Sequence, residues 1–210
     1  MSASKDATRL AELLCARISH DLGGMIGTLA GALELTDDPS VAAEALALAR
    51  QAASELRQHL SLQRASWGPA AVPLTLPGLR SLMESQPTAR RCRLDLAGVA
   101  EDTVFAPSFG RVVLNLLLLA MEALNGAGTV TLTGNGTDLI VAIAGPRAAW
   151  PAGLAACLAG EQTTWAAVRD PTTLQMPLTV LLARALGLHL SLLLPTGVSP
   201  LPPPLRLQKV

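Results

Sequence analysis

The residues of this chain best suited to chemistry are His20 and Asp21, which lie side by side near the N-terminus. A neutral imidazole has a free nitrogen lone pair and is a competent nucleophile toward phosphorus. An adjacent carboxylate can orient the other ring nitrogen, or take up its proton as positive charge develops. The pair therefore predicts that His20 accepts a phosphoryl group and that Asp21 orients or deprotonates it.

The surrounding sequence indicates that His20 points away from the packed face of a helix. Apolar residues recur at three- and four-residue spacing from Leu10 to Leu33 and form one stripe. His20 is two residues from both Ile18 and Leu22, which is about 200° around a helix from each. A surface histidine without a chemical role is the alternative, and the residues alone leave it open.

Three glycines, Gly23, Gly24 and Gly27, follow His20 within two helical turns. Each glycine inside a helix costs about 1 kcal/mol relative to alanine. Their presence predicts either a kink or room for a partner to approach the backbone closely. The other two histidines have no adjacent carboxylate, and we expect His59 on the surface and His189 partly buried at the start of a strand.

Periodicity predicts two long helices followed by a mixture of helices and strands. Helices are predicted at residues 6–35, 39–65, 75–85, 107–124 and 172–186, and strands at 91–96, 129–133, 138–144 and 189–194. Asp38 is expected to cap the second helix, and Asn135-Gly136 to turn a hairpin. We expect a loop at 145–171 and an irregular or edge segment at the proline-rich end.

Two long helices joined by a tight turn form a hairpin whose apolar stripe is only half covered. A second copy of the chain would cover the stripe by completing a four-helix bundle. The predicted fold class is therefore α + α/β. A dimeric helical hairpin occupies residues 1–68, and a small α/β sandwich occupies residues 69–210.

Charge and cysteine content argue against several classes of protein. The 210 residues include 16 basic and 16 acidic side chains, so no global basic field indicates nucleic-acid binding. The three cysteines are widely spaced, which predicts no metal site or disulfide framework and fits a reducing cytoplasm. The polar N-terminal sequence is not typical of a signal peptide. Polar residues interrupt the apolar stretches 112–124 and 177–194, so we expect buried helices and no membrane span.

Residues 14–22, with the sequence Leu-Cys-Ala-Arg-Ile-Ser-His-Asp-Leu, resemble the H-box of sensor histidine kinases. In that family the histidine lies on the first helix of a dimeric hairpin bundle and carries the phosphoryl group. The match departs after Leu22, where Gly-Gly-Met stands in place of the usual basic residue and proline.

The second half of the chain resembles the ATP-binding domain of the same kinases. Residues 114–124 are similar to its N-box, and residues 129–144 to the hairpin before its first glycine box. Leu119 stands where the second N-box asparagine is expected, and Ala144 where the adenine-binding aspartate is expected. The second glycine box reads Leu-Gln-Met-Pro-Leu at 174–178 and has no glycine. The resemblance therefore implies a degenerate ATPase-like domain that binds neither ATP nor metal.

An intact H-box joined to a vestigial ATPase-like domain resembles the ChpT-type dimeric histidine phosphotransferases. The end of the second helix, Arg-Ala-Ser-Trp-Gly at 64–68, is similar to that family's Arg-x-Ala-Phe-Gly element. The resemblance implies a cytoplasmic homodimer that passes phosphoryl groups through His20 in a bacterial multistep phosphorelay. Its partners would be receiver domains of response regulators and hybrid histidine kinases, which would also supply the magnesium.

Receivers are expected to dock on the turns around His20 and on the facing part of the second helix. The expected docking residues are Ala16, Arg17, Gly23, Gly24, Gly27, Arg57 and Arg64. Two other functions stay open. One is a pseudo-histidine-kinase scaffold or inhibitor in which His20 is incidental. The other is an active histidine kinase with a divergent nucleotide pocket, against which the missing glycine-box residues argue.

Overall fold

The computed structural model describes residues 3–69, 72–84, 91–194, 197 and 199–209. The helices are α1 (Ala3–Glu34), α2 (Ala42–Trp67), α3 (Leu76–Glu84), α4 (Pro107–Ala123), α5 (Leu154–Ala159), α6 (Glu161–Ala167) and α7 (Gln175–Ala185). The strands are β1 (Leu74–Thr75), β2 (Cys92–Val99), β3 (Val104–Phe105), β4 (Gly128–Gly134), β5 (Asp138–Ala144), β6 (Leu188–Leu192) and β7 (Leu205–Lys209). The long predicted elements are thus present within a few residues of their predicted bounds; Ser85, the predicted end of the third helix, lies outside the described residues.

Helices α1 and α2 form the predicted hairpin. Small side chains are buried where the two helices meet, namely Ala32 on α1 and Ala45, Ala49 and Ala52 on α2. Alanines at a contact let two helix backbones approach closely. Within the described ranges, no helix is long and apolar enough to cross a membrane.

The turn of the hairpin differs from the prediction for Asp38. Its Oδ1 accepts hydrogen bonds from the backbone N–H and the hydroxyl of Ser40, and the residue preceding α2 is Val41. Asp38 therefore stabilises the bend ahead of α2 and is not the cap of the helix. The bonds from Ser40 also hold the pKa of this carboxyl below its ordinary value.

The second half of the chain is built on a five-stranded sheet with strand order β2-β4-β5-β7-β6. Strands β2 and β4 are parallel, and the other neighbours are antiparallel. Alternate residues of β4 and β5 are fully or almost fully buried: Val130, Leu132, Leu139, Val141 and Ile143. These side chains join α4 in the main hydrophobic core. The result is a mixed sheet with helices packed on it, as the predicted fold class requires.

The proline-rich end of the chain is more ordered than we expected. Strand β7 lies between β5 and β6, so it is an interior strand and not an edge. Leu205 and Leu207 are fully buried, and the indole N–H of Trp150 donates to the carbonyl of Pro203 at 2.8 Å. Alternating Leu-Arg-Leu is a strand pattern, but its register depends on β5, which lies more than sixty residues earlier. On the neighbouring β6, His189 is exposed, so the prediction of its partial burial is wrong.

The segment 145–171, predicted as a loop, contains the short helices α5 and α6. Arg184 on α7 holds both short helices in place through hydrogen bonds. Its guanidinium donates to the carbonyls of Cys157 and Leu158 at the end of α5, and to the hydroxyl of Thr164 in α6. Helices of two turns or fewer show too little periodicity for sequence analysis, and here tertiary hydrogen bonds stabilise them.

The N-terminal half of α1 and the C-terminal half of α2 pack on the α/β body. Leu62 of α2 belongs to the main core of the body. Leu13 of α1 lies in a second buried cluster with Leu174, Leu178 and Leu181, against which Trp165 packs. The end of α2 coincides with the predicted boundary after residue 68, but independent folding of the two parts stays a prediction.

Candidate functional site

His20 lies on the outer surface of α1, with 89% of its side chain exposed. Its Nδ1 is 3.3 Å from Oδ1 of Asp21, whose side chain is 34% exposed. This separation is at the long end of hydrogen bonding. When Nδ1–H donates to Asp21, the Nε2 atom keeps its lone pair and faces solvent. The structure thus presents an accessible nucleophile with a carboxylate beside it.

The face of α1 that carries His20 is lined by residues with little or no side chain. Ala16, Gly23, Gly24 and Gly27 lie four residues before and three, four and seven residues after His20, and all are exposed. Residues at these spacings share one face of a helix. A Cβ atom built on any of the three glycines would meet no described atom within 4 Å, and α1 continues unbroken through them. Internal packing therefore does not require these glycines. They leave the helix face next to His20 without protruding side chains.

Arg17 lies three residues before His20, and its side chain turns into the junction between the hairpin and the body. Its Nη2 donates to Oε1 of Glu122 on α4 at 2.5 Å, and its guanidinium lies 5.9 Å from the ring centroid of Trp67. Only 20% of the Arg17 side chain is exposed. Partial burial raises the pKa of Glu122, and the charge of Arg17 opposes that shift. Arg17 is therefore committed to an intramolecular ion pair and does not share the outer face of His20.

A cavity of about 140 Å³ lies behind Asp21, between α1, α2 and α4. Its lining residues are Arg17, Asp21, His59, Leu62, Gln63, Ser66, Trp67, Leu118, Met121, Glu122 and Gln175. The prediction that His59 is a surface residue is wrong: its ring faces this cavity, 2.9 Å from the amide nitrogen of Gln63. Burial lowers the pKa of His59, Asp21 opposes that shift, and Arg17 adds to it. Asp21 therefore stands between an exposed histidine and a half-buried one.

Arg57 and Arg64 lie on α2, away from this cavity. They are about 200° and 140° around the helix from His59, which faces the cavity. Arg64 instead lines a separate groove with Pro69, Val72 and Pro107. In the residues that the structure describes, no hydrogen bond or ion pair joins either arginine to His20. The structure therefore brings His20 together with Ala16 and the glycines, but not with the three predicted arginines.

Asn115 on α4 is a buried polar residue that the sequence analysis did not single out. Its amide donates to the carbonyls of Ser66 and Arg111, at 2.8 and 2.9 Å. Its Oδ1 accepts from the indole of Trp67 and the amide of Gln175, each at 3.1 Å. An asparagine within the apolar run 112–121 of α4 signals such a network, because buried amides need partners. These bonds use the donors and the acceptor of the Asn115 side chain, and they join the end of α2 to α4.

Two positions singled out by the sequence resemblance to kinases, Leu119 and Pro177, carry side chains with no hydrogen-bond donor or acceptor. Leu119 is fully buried in the core, and Pro177 lies in the first turn of α7. A broad open cavity of about 820 Å³ lies nearby, against Trp150, Thr172 and Met176, and no basic side chain is among the described residues that line it. Elsewhere in the described ranges, no group of three or more His, Cys, Asp or Glu side chains is placed to hold a metal ion.

Comparison with known proteins gives the family. Residues 78–196, more than half of the chain, match the histidine phosphotransferase C-terminal domain. The chain belongs to the histidine phosphotransferase family. No curated protein sequence matches it significantly.

The structure of a bacterial phosphotransferase is similar to this histidine phosphotransferase along its whole length. The identity is 21% over 99% of this chain and 98% of that chain, with a TM-score of 0.71, so the two share a fold. The cytoplasmic segment of the histidine kinase QseC is 17% identical over 78% of this chain and 93% of that chain, with a TM-score of 0.37. A histidine kinase from Burkholderia phymatum STM815 is 17% identical over 99% and 98%, with a TM-score of 0.36. The last two scores are too low to establish a common arrangement.

Family membership supports a phosphotransfer role. The matched residues lie in the α/β body, whereas the shared fold extends over the hairpin that carries His20. The chemistry at His20 therefore rests on the geometry of the hairpin itself.

Proposed function

We propose that this chain relays phosphoryl groups between receiver-domain aspartates through His20, in a bacterial multistep phosphorelay. The observation that carries the proposal is the imidazole of His20, 89% exposed and beside Asp21, on a helix face otherwise lined by glycine and alanine. A nucleophile that projects from a surface without other protruding side chains can approach an aspartyl phosphate in a receiver pocket closely. His20 meets that condition, and the half-buried His59 does not.

The proposed transfer exchanges one bond to phosphorus for another. Nε2 of His20 attacks the phosphorus, an N–P bond forms, and the bond to the aspartyl oxygen breaks to release the receiver carboxylate. Asp21 accepts a hydrogen bond from Nδ1–H and stabilises the positive charge that develops on the ring. The reverse reaction, with the aspartate of a second receiver as nucleophile, completes the relay. Magnesium, expected on the receiver, would neutralise the phosphoryl oxygens.

The proposed docking surface centres on His20, Ala16 and the three open glycines. Absence of side chains there allows a receiver backbone to approach α1 closely, which shortens the path between Nε2 and the phosphorus. Arg57 and Arg64 are cations on α2 and would meet acidic groups of a receiver only if it also contacts that helix. Arg17 acts within the chain, through its ion pair with Glu122.

We infer that the chain does not bind ATP and is a pseudokinase in this respect. Asn115 has its amide and oxygen occupied by four hydrogen bonds, so it has little remaining capacity for a metal. Pro177 has no backbone N–H to offer to phosphates at the start of α7. Both observations support transfer from a receiver over transfer from a nucleotide.

We propose that a second copy of the chain covers the exposed apolar side of the hairpin and forms a cytoplasmic four-helix-bundle homodimer. The exposed large apolar side chains of the hairpin are Ile26 and Leu33 on α1, Leu35 in the turn, and Leu46, Leu48 and Leu60 on α2. Ile26 and Leu33 are seven residues apart, and Leu46 and Leu60 are fourteen apart, which is the repeat of paired helices. Exposed leucines at this repeat fit an isologous contact between identical hairpins.

A transfer assay tests the proposed relay. A receiver domain is loaded with labelled phosphate by its own kinase, and wild-type chain, His20→Ala or His189→Ala is added. Label should reach wild type and His189→Ala, whose histidine is exposed on β6, but not His20→Ala. Label taken directly from ATP would instead establish a kinase. If no receiver among several labels the wild type, the chain is better explained as a docking scaffold.

A further inference from the structure

We propose that Glu122 of the α/β body is a positioning residue for the phosphoacceptor: it holds Arg17 and so leaves Asp21 free to bind His20. The inference rests on the proposed relay through His20. It gives the α/β body a role in that reaction, because the body supplies Glu122, which keeps Arg17 from binding Asp21.

The placement of Arg17 makes it a competitor for Asp21. The two residues are four apart on α1, so their side chains are neighbours on one helix face, and both line the same cavity. Nη1 of Arg17 is buried, with no hydrogen-bond partner in the part of the chain that the structure describes. A guanidinium with a free N–H thus lines the same cavity as the carboxylate that contacts His20.

Glu122 decides which carboxylate Arg17 binds. Arg17 donates to Glu122 in a junction where only 20% of the Arg17 side chain is exposed, whereas the Asp21–His20 contact is 3.3 Å and lies at the surface. A guanidinium attracts a carboxylate by its full positive charge and by a hydrogen bond, whereas a neutral imidazole N–H offers the hydrogen bond alone. If Glu122 lost its charge, Arg17 would therefore bind Asp21 and take it from the imidazole of His20.

The surroundings of Arg17 also favour its pairing with Glu122. Trp67 lies under its guanidinium, and the indole N–H of Trp67 is fixed by Asn115. Among the described residues that line the cavity, the charged side chains are Arg17, Asp21 and Glu122, and His59 is the remaining titratable group. Removal of Glu122 would leave Asp21 as the remaining carboxylate in this set.

A double-mutant cycle separates positioning from a purely structural contact. Glu122→Gln, Arg17→Gln and the double variant are compared with wild type for transfer from a phosphorylated receiver. We expect Glu122→Gln to lower the maximal transfer rate about tenfold, part of the roughly 10²–10⁴ that a positioned acid–base group supplies. The receiver concentration at half-maximal rate should not change. Adding Arg17→Gln should restore the rate to within about twofold of wild type, because the competing guanidinium is gone.

A structural role for the ion pair would give the opposite result, with the double variant as slow as Glu122→Gln or slower. That result would overturn the proposal. Thermal unfolding of each variant checks that the chain is folded, and the double variant can keep a neutral hydrogen bond between its two glutamines.

A second measurement does not depend on the relay. The ¹⁵N chemical shifts of the His20 ring, recorded where the imidazole is neutral, report which nitrogen carries the proton. We expect the Nδ1–H form, which Asp21 stabilises, to be reduced in Glu122→Gln and restored in the double variant. Unchanged ring shifts in Glu122→Gln would overturn the positioning role. If the ring shifts change as expected but no receiver transfers phosphate to the wild-type chain, the relay is rejected. The role of Glu122 in keeping Asp21 on His20 would still hold.

Discussion

Two histidines on facing helices illustrate how environment determines the chemistry of a residue. His20 is almost fully exposed beside Asp21, where its lone pair can reach a partner protein. His59 is half-buried against Gln63, where burial lowers its pKa below the ordinary 6.5. Asp21 lies between them, so one carboxylate contributes to both environments. Residue type alone does not distinguish the two histidines.

The lowered pKa of His59 predicts a specific dependence of stability on pH. In the unfolded chain His59 binds a proton near pH 6.5, whereas in the folded chain it binds one only at lower pH. The stability it contributes is therefore complete above pH 6.5 and is lost as pH falls through the folded pKa, by at most about 1.4 kcal/mol per pH unit. Thermal unfolding of His59→Gln between pH about 7.5 and 5.5 should show a smaller loss of stability than wild type.

His189→Gln is the matched control for this experiment, because its histidine is exposed on β6. We expect it to keep the wild-type dependence on pH. A His59→Gln variant whose stability falls as steeply as that of wild type would contradict the assigned environment of His59.

At the scale of elements, the exposed face of α1 combines low helix propensity with open space. A Cβ atom added to any of the glycines at 23, 24, 27 and 31 would have no described atom within 4 Å. Each glycine lowers the intrinsic stability of the helix, by about 0.5–1 kcal/mol relative to alanine. No internal contact among the described residues compensates for that cost, which is why we assign the glycines beside His20 to close approach by a receiver.

Gly24→Leu tests this assignment because stability and binding should change in opposite directions. The substitution should raise the free energy of unfolding by about 0.5–1 kcal/mol, since leucine is a good helix former and meets no clash. It should weaken receiver binding at least about tenfold, or about 1.4 kcal/mol, because a side chain now separates the two backbones. Calorimetric titration with a receiver and chemical denaturation measure the two effects.

Gly31→Leu provides the comparison, since Gly31 is equally open but lies about three turns beyond His20. It should stabilise the chain to a similar degree and leave receiver binding unchanged. Equal affinity of the Gly24→Leu variant and wild type would remove the argument for close approach.

Sequence periodicity was sufficient for long elements and insufficient for short ones. The helices α1, α2 and α4 have many apolar positions at helical spacing, so their existence follows from local sequence. The helices α5 and α6 have six and seven residues and depend on hydrogen bonds from Arg184. Strand β7 depends on its pairing with β5 and β6. Such elements are stable only when distant parts of the chain are already in place.

At the scale of the whole molecule, the uncovered apolar side of the hairpin predicts an obligate partner copy. Leu33→Glu or Ile26→Glu should convert the dimer to a monomer of 21.7 kDa, because a dimer would have to bury the new carboxylate without a partner. Analytical ultracentrifugation measures the mass. Ala47→Glu, also at an exposed position of the hairpin, should remain dimeric.

A wild-type chain that sediments as a monomer at all concentrations would contradict the proposed homodimer. Dimeric Leu33→Glu and Ile26→Glu variants would instead show that the interface uses another surface of the chain.

Local sequence was enough to predict the candidate phosphoacceptor and the residues beside it on α1. His20, Asp21 and the glycines that follow lie on one continuous helix, and helical geometry dictates which of them share a face. The side chains that surround them from other elements became known from the packing of the folded chain. Arg17 pairs with Glu122, 105 residues later, and His59 becomes half-buried when α2 packs against α1 and α4. These contacts depend on how elements pack, and a helical repeat carries no information about packing partners so far away in the chain.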